Sequence, residues 1–301
     1  MTAKKIAFIN QKGGVGKTTL TANCGAYWGH AGRRVLILDL DPQAHLTLHL
    51  GGAAAGEERN LYRVLRGDYS LQDAIIELPD EKVDVIASHI DLSAAEWEFG
   101  QEVGREVILR EGLKTLLESR PYDLVLMDCP PSLGFLSLNA LAAVEEVVIP
   151  VQAEFFALQG MSQLLRVLSM VRSRLHPDLQ WRAIVPTLVD ARTNLGREVI
   201  ADLERHFPEE VTKHWISKRV KVAEAPGFEQ SIFAYAPDSP AAKEFQQLCQ
   251  ELERILEIAP LDNSAAPAAD PNAAAAAEAE APTIVPSANT DAPVPVEEET
   301  H

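Results

Sequence analysis

Residues 11–19 read QKGGVGKTT and follow the apolar run KKIAFIN at residues 4–10. A phosphate-binding loop has the pattern G-x-x-x-x-G-K-[ST] between a strand and a helix, so that backbone N–H groups surround the phosphates. Gly16, Lys17 and Thr18 fit the end of this pattern, whereas Gln11 stands where its first glycine would be. A purely structural glycine turn is the alternative, but the register of lysine and threonine favours phosphate binding. The predicted nucleotide-binding residues are Lys12, Gly13, Gly14, Val15, Gly16, Lys17, Thr18 and Thr19.

Lys12 is a second lysine in this loop, where binding one phosphate group needs only Lys17. Two ammonium groups side by side repel each other unless negative charge lies close to both. Lys12 could therefore point to solvent, or it could reach a nucleotide held by another subunit. The residues alone leave both interpretations open.

Three aspartates follow buried, strand-like runs. Asp39 and Asp41 end RVLILDLDPQ, and Asp128 ends YDLVLMDC. Ligands of open α/β sheets bind at the carboxyl ends of the strands, which is where these carboxylates are expected. They could be helix caps instead, but three of them near a phosphate loop favour hydrolysis of a magnesium nucleotide. We predict that Thr18, Asp128 and Asp39 bind Mg²⁺ and that Asp41, with Lys17, serves catalysis by positioning the attacking water.

Apolar runs alternate with amphipathic stretches along residues 4–258. Such runs, rich in Val, Ile and Leu, are typical of strands buried on both faces of a parallel sheet. The predicted strands are residues 5–10, 34–40, 82–87, 122–129, 146–151 and 181–187. The predicted helices are residues 17–31, 98–119, 135–143, 158–175, 194–206 and 240–258. The alternation predicts an α/β, doubly wound, mostly parallel sheet flanked by helices.

The C-terminal residues 261–301 differ in composition from the rest of the chain. They are rich in Ala and Pro and hold eight acidic residues with no lysine or arginine. Such a segment buries too little apolar surface to offset its ordering entropy, so we predict a disordered tail after an ATPase domain at residues 1–260. A solubilising role is favoured over tethering or autoinhibition. The tail accounts for nearly half of the net charge of −17, so an acidic total does not exclude nucleic acid as a partner.

Other features limit where the protein acts. The three cysteines, Cys24, Cys129 and Cys249, lie far apart, which indicates reduced thiols and no obvious zinc or iron–sulfur site. The chain has no apolar run long enough to span a bilayer, and no secretory signal is expected before residue 5. We expect a cytoplasmic protein with no membrane partner.

The sequence resembles the ParA/Soj family of DNA-partitioning ATPases, which carry a deviant Walker A motif. The resemblance rests on KGGVGKTT, VLILDLDPQA, YDLVLMDCPPSLGFLSLNAL, VIPVQAEFFALQG, VDARTNLG and VKVAEAPG, in family order over residues 4–258. It implies a deviant P-loop fold, ATP and Mg²⁺ as cofactors, and an ATP-sandwich homodimer. It also implies that Lys12 contacts the nucleotide of the opposite subunit and serves there as a catalytic residue. Glu154, in PVQAEFFAL, matches an acidic family position near the nucleotide or the dimer interface.

The resemblance also implies non-specific binding to double-stranded DNA. The segment KHWISKRVK, residues 213–221, has four basic residues and no acidic one, which is typical of a phosphate-backbone contact. A solvated basic loop is the alternative. The family pattern adds the arginine of the DAR motif, and in the family the segment near residues 217–219 also helps to hold the adenine. The predicted DNA contacts are Arg192, Lys218, Arg219 and Lys221.

Relatives with the same loop perform different functions, and some are disfavoured here. The last predicted helix is too acidic for a membrane-binding relative, and nine residues before the loop leave no space for an operator-binding domain. What remains is a nucleoid-associated ATPase that segregates chromosomes or plasmids with a ParB-like partner. Positioning of a protein cargo through an adaptor, a dethiobiotin-synthetase-type ligase and an ATP-binding scaffold without turnover are the alternatives.

Overall fold

The computed structural model describes residues 3–99, 104–154 and 157–260. The chain divides after Leu261 into two units, and the second unit lies outside the described residues. The predicted disordered tail therefore stays a prediction, as does its boundary. Within the described ranges, no helix is both long and apolar enough to cross a membrane.

Seven strands form one sheet in the order β3-β4-β2-β5-β1-β6-β7. All neighbours are parallel except β3 and β4, which pair antiparallel. This confirms the predicted fold class. The strands are β1 Lys4–Phe8, β2 Val35–Asp39, β3 Ile75–Leu78, β4 Val83–Ile86, β5 Leu124–Asp128, β6 Glu146–Gln152 and β7 Gln180–Thr187.

The described helices cover both faces of the sheet. They are α1 Lys17–His30, α2 His45–His49, α3 Ala53–Gly56, α4 Leu61–Leu65, α5 Ala95–Glu98, α6 Ile108–Ser119, α7 Phe135–Ala143, α8 Ala157–Arg174, α9 Asn194–His206, α10 Val220–Glu224, α11 Ile232–Tyr235 and α12 Pro240–Ile255. Short 3₁₀ turns occupy Ile90–Ala94, Arg105–Val107 and Ala225–Phe228.

Alternate residues of the central strands enter two separate cores. In β1, Ala7 joins the core formed with α6, α7, α8 and α9. Ile6 and Phe8 join the other core, which α1, α2, α11 and α12 complete. Because both faces are covered, the strands are apolar at nearly every position, which is the pattern that predicted a parallel sheet.

Candidate nucleotide site

The phosphate loop joins β1 to α1 at the carboxyl edge of the sheet. Gly14 and Gly16 have φ angles of 72° and 85°, in the left-handed region that favours glycine. Gly16 is the N-cap of α1, and no side chain caps the first turn within the described residues. The free N–H groups of this 14-residue helix therefore face the loop and form an anion-binding end. Thr187 fixes the loop from β7, since its Oγ1 donates to the Val15 carbonyl at 2.7 Å.

Lys17 is held inside this loop. Its side chain is buried, and Nζ donates to the Lys12 carbonyl at 3.3 Å. Burial lowers the pKa of Lys17, while the nearby carboxylate of Asp128 acts in the opposite direction. A bound phosphate would favour the charged ammonium, as expected for a lysine that reaches phosphate oxygens.

Asp39 and Asp128 lie side by side because they are register partners at the ends of β2 and β5. Oδ2 of Asp128 accepts a hydrogen bond from Thr18 Oγ1 at 2.6 Å. Oδ1 is buried and has no hydrogen-bond partner among the described residues. Burial raises the pKa of Asp128 well above its usual range, and the charge of Asp39 adds to this. A divalent cation at Thr18 and Asp128 would engage the unpaired oxygen and favour the ionised carboxylate, so these residues fit Mg²⁺.

Asp39 is committed to the loop that follows it. Its Oδ1 accepts from the Asp41 backbone N–H at 3.1 Å, and Oδ2 accepts from the backbone N–H and hydroxyl of Thr47 at 2.9 and 2.7 Å. Burial raises the pKa of Asp39 to about 6 despite these bonds. A metal-ligand role for Asp39 stays a prediction, but the geometry favours anchoring the loop. Sequence reasoning missed Thr47, which follows the DLDPQ motif by only a few residues.

Asp41 lies beyond the end of β2, on the loop that follows the strand. Its side chain is partly exposed, and its Oδ1 accepts from the Gln43 backbone N–H at 3.0 Å. Ser88 donates to the Asp41 carbonyl at 2.6 Å. Asp41 thus faces the cleft with a carboxylate that is only partly engaged, as a water-positioning group requires.

Two neighbouring cavities share Gly16, Thr19 and Leu188. We call the first the phosphate cleft. It has a volume of about 720 Å³ and is lined by Gly13, Gly14, Gly16, Lys17, Thr18, Thr19, Asp41, Gln43, His45, Leu48, His49, Pro131, Leu188, Pro226 and Gly227. The second, the base cleft, has a volume of about 530 Å³ and includes Ile216, Lys218, Arg219, Val222 and Phe245. Their sizes suit the two halves of a nucleotide, with the apolar lining of the base cleft suited to a base.

Lys12 and Glu154 are brought together from positions 142 residues apart. Their side chains form an ion pair, and each is 47% exposed. Lys12 therefore lies at the rim of the site, and only its carbonyl contacts Lys17. A half-exposed pair of this kind is readily exchanged for another partner.

The predicted DNA contacts lie on two adjoining segments, since Lys218 N–H donates to the Val189 carbonyl at 3.1 Å. We call Arg192, Lys218, Arg219 and Lys221 the basic face. Three of its four cations pair with neighbouring acids. Arg192 Nη2 lies 2.8 Å from Asp190, Arg219 Nε lies 3.2 Å from Glu244, and Lys221 Nζ lies 3.1 Å from Glu224. The two hydrogen bonds from the Arg192 side chain lower the pKa of Asp190 to about 2. The four residues lie close together, and these acids partly neutralise their charge; their contact with DNA stays a prediction.

Comparison with known proteins identifies the family. A family model described as an AAA domain matches residues 3–181. The sporulation initiation inhibitor protein Soj of Bacillus subtilis is 42% identical over 249 residues, covering 83% of this chain and 98% of Soj. The chromosome partitioning protein ParA of Caulobacter vibrioides is 38% identical, covering 82% of this chain and 92% of ParA.

Among solved structures, cobyrinic acid a,c-diamide synthase of Mycobacterium smegmatis, with a bound ATP analogue and magnesium, is 35% identical with a TM-score of 0.74. The match covers 84% of this chain and 95% of that one. That structure shares the fold and holds the two ligands that the phosphate loop and the Thr18–Asp128 pair fit. The chain belongs to the ParA/Soj family of chromosome-partitioning ATPases.

Proposed function

We propose that this protein is an ATP-dependent DNA-partitioning ATPase. The observation that carries the proposal is the phosphate cleft, which a phosphate loop, Thr18 and a partly free Asp41 line together. Thr18 is hydrogen-bonded to the buried Asp128, whose other oxygen is unpaired among the described residues. The relatives named Soj and ParA support the partitioning role. The protein acts in the cytoplasm, on the nucleoid.

The cleft residues divide the chemistry among them. Lys17 and the amino end of α1 bind the phosphates, and Thr18 with Asp128 would hold Mg²⁺, which would neutralise charge on the phosphate oxygens. Asp41 accepts a hydrogen bond from the attacking water. The water oxygen bonds to the terminal phosphorus, the bond to the bridging oxygen breaks, and ADP leaves with that electron pair. The displaced water proton passes through Asp41 to solvent.

ATP acts as a switch between two states. In the ATP state, Lys12 exchanges Glu154 for the nucleotide of a second subunit, and the two basic faces then form one surface that binds DNA without sequence preference. A ParB-like partner accelerates a slow intrinsic hydrolysis, and the dimer leaves the DNA. Catalytic help supplied in trans is worth about 10³–10⁵ in other nucleotide hydrolases.

Two alternatives address the cargo and the chemistry. A protein cluster, carried through an adaptor, could take the place of chromosome or plasmid DNA with the same switch. The second alternative is an ATP-dependent synthase, which the 35% identity to cobyrinic acid a,c-diamide synthase favours. A synthase requires an acceptor substrate and no affinity for DNA.

The deciding experiment measures binding to random-sequence duplex DNA with ADP, with ATP and with a non-hydrolysable ATP analogue, across a salt series. We expect salt-sensitive binding with the two ATP forms only. Equal binding in all three states, or none in any, would reject the proposal and favour the synthase.

A further inference from the structure

Residues 216–220 line the base cleft as one continuous segment, which we call the cleft wall. The wall runs from the bridge that pairs Ser217 with Val189 to the start of α10 at Val220. Val220 is apolar and yet 73% exposed. It therefore offers the cleft an apolar surface that a bound nucleotide base would cover.

Glu244 of α12 holds the cleft wall through both oxygens of its carboxylate. Oε2 accepts the backbone N–H of Ser217 at 3.1 Å, and Oε1 accepts the Ser217 hydroxyl at 3.1 Å. Oε1 also accepts from Nε of Arg219 at 3.2 Å. The Glu244 side chain is only 20% exposed. Hydrogen bonds to a carboxylate are roughly twice as strong as those between neutral groups, so Glu244 fixes both residues of the wall.

Helix α12 also reaches the base cleft directly, because Phe245 is fully buried and lines it. Two turns further along the same helix, Glu251 holds the residues that precede the wall. It accepts from the backbone N–H groups of Lys213 and His214 at 2.8 and 2.9 Å. Glu251, Lys213 and His214 do not line the base cleft. Glu251 is therefore a matched control for Glu244, with the same chemistry on the same helix.

A base binds most tightly to a wall that is already ordered. If Ser217 and Arg219 were free to move, the nucleotide would have to order them on binding, and the entropy lost would lower its affinity. The phosphates are bound by the loop before α1, whereas the hydrogen bonds of Glu244 given above go to the wall. Loss of Glu244 should therefore weaken the binding of the base and leave the binding of the phosphates unchanged.

We propose that Glu244 is a positioning residue of the base cleft, which holds Ser217 and Arg219 in the arrangement that receives the nucleotide base. Its effect is to raise the affinity for ATP over the affinity for a polyphosphate without a base. This inference rests on the ATP binding in the proposed function. It does not depend on hydrolysis or on DNA.

The test measures the affinities for a non-hydrolysable ATP analogue and for inorganic tripolyphosphate, both with Mg²⁺, by isothermal titration calorimetry. The ratio of the two affinities isolates the contribution of the base and sugar. We expect Glu244→Ala to lower this ratio at least about tenfold, because the carboxylate that orders the wall is lost. Glu244→Gln keeps an oxygen for Ser217 but loses the charge that pairs with Arg219, so the ratio should fall about threefold. Glu251→Ala should leave the ratio within about twofold of the parent value.

An unchanged ratio in Glu244→Ala would overturn the proposal, as would an equal fall in Glu251→Ala, since the cause would then be a general loosening of α12. Glu244→Gln has the shape of the parent side chain and decides the question if Glu244→Ala does not fold. An unchanged ratio in Glu244→Gln then overturns the proposal. A parent protein that binds tripolyphosphate as tightly as the analogue would overturn it too, because the cleft would receive no base. A parent protein that shows the expected ratios but neither hydrolyses ATP nor binds DNA would instead reject the proposed function.

Discussion

The phosphate cleft and the basic face are organised in opposite ways. In the cleft, Asp39, Asp128 and Lys17 are buried, and specific partners hold their polar groups, except for Oδ1 of Asp128. On the basic face, Arg192 and Lys221 are largely exposed, and their partners are acids only two or three residues away in sequence.

The difference separates two uses of charge. A buried carboxylate with one unpaired oxygen is stabilised only by a ligand that is placed to contact that oxygen. The cleft therefore selects its ligand by geometry. Exposed ion pairs contribute roughly 0–1 kcal/mol to stability. A cation on the basic face can therefore exchange its acid for a DNA phosphate with little loss of free energy. The cleft should therefore respond sharply to single substitutions, and the basic face only gradually.

The largest effect is expected at Asp41. Asp41→Ala removes the group that orients the attacking water, so turnover should fall at least about 100-fold while ATP affinity stays near that of the parent. ATP hydrolysis and nucleotide binding would be measured together, with Asp68→Ala as an exposed control. Rapid hydrolysis of bound ATP by the Asp41 variant would contradict the role of Asp41 in orienting water, and it would weaken the contrast between the phosphate cleft and the basic face.

The pH dependence of the free energy of unfolding tests whether His49 is buried in its neutral form. The unfolded His49 ring takes a proton near its ordinary pKa of 6.5, whereas the folded ring resists protonation down to about 4. The stability that this neutral ring contributes is therefore complete above 6.5 and is lost as the pH falls toward 4. The advantage of the parent over His49→Leu in the free energy of unfolding should shrink by about 2–3 kcal/mol between pH 7.5 and 4.5. Urea unfolding measures both proteins, and a constant difference would show that His49 is not buried in neutral form.

A third prediction concerns how closely α1, the helix that follows the phosphate loop, packs at Gly29. A Cβ built on Gly29 would lie 2.3 Å from the Lys82 carbonyl oxygen, whereas one on Gly160 in α8 meets nothing within 4 Å. Gly29→Ala should therefore destabilise the protein by about 1–3 kcal/mol. Gly160→Ala should stabilise it by about 0.5–1 kcal/mol, because alanine reduces the conformational freedom that the unfolded chain loses when the helix forms. Thermal unfolding compares the two, and effects of the same sign would contradict the packing described here.

Lys12 shares features of both the phosphate cleft and the basic face, since it belongs to the phosphate loop but its side chain is half exposed. Lys12→Ala should leave the stability of the subunit within about 1 kcal/mol, because the lost ion pair is exposed. ATP-dependent dimerisation should weaken at least about tenfold, because the charge facing the second nucleotide is missing. Sedimentation with an ATP analogue measures this, with Glu154→Gln as the control that frees Lys12. A Lys12 variant that dimerises like the parent would show that the lysine serves only its own subunit.

The smallest effect is expected on the basic face. Lys221→Glu should weaken DNA binding equally for all sequences and reduce the salt slope by about one unit per subunit. Glu224→Gln, which releases Lys221 from its acid, should strengthen binding slightly. Unchanged DNA affinity in both variants would remove Lys221 from the interface.

The fold was predictable because burial leaves a clear pattern. The six predicted strands are present with ends shifted by at most two residues, and α7 and α9 match the predicted bounds. Strand β3 was missed, since four residues at the sheet edge form too short a pattern to recognise. The predicted helix at 98–119 was too long. Of its described residues, Glu98 ends α5, and a 3₁₀ turn at Arg105–Val107 precedes α6 Ile108–Ser119. Gly104 has a left-handed conformation at the start of that turn.

The site was predictable only where a motif marks it. Thr18, Asp41 and Asp128 lie at the carboxyl edge because strand ends meet there, as the sequence indicated. The contacts of Thr47 and His49 depend on how the loop after β2 folds back, which no motif encodes. On the basic face, the pairing of Arg192 with Asp190 could have been read from the DAR motif itself, whereas that of Arg219 with Glu244 needs the tertiary fold.

The bond from Thr187 to the Val15 carbonyl joins residues 172 positions apart, and β1 pairs with β5 and β6. During synthesis, the phosphate loop leaves the ribosome long before the strands that hold it. At about 5–20 residues per second, the wait is roughly 10–35 s. A nascent chain therefore has no complete nucleotide pocket until β7 has emerged, and unfinished chains cannot compete with mature subunits for ATP or for a dimer partner.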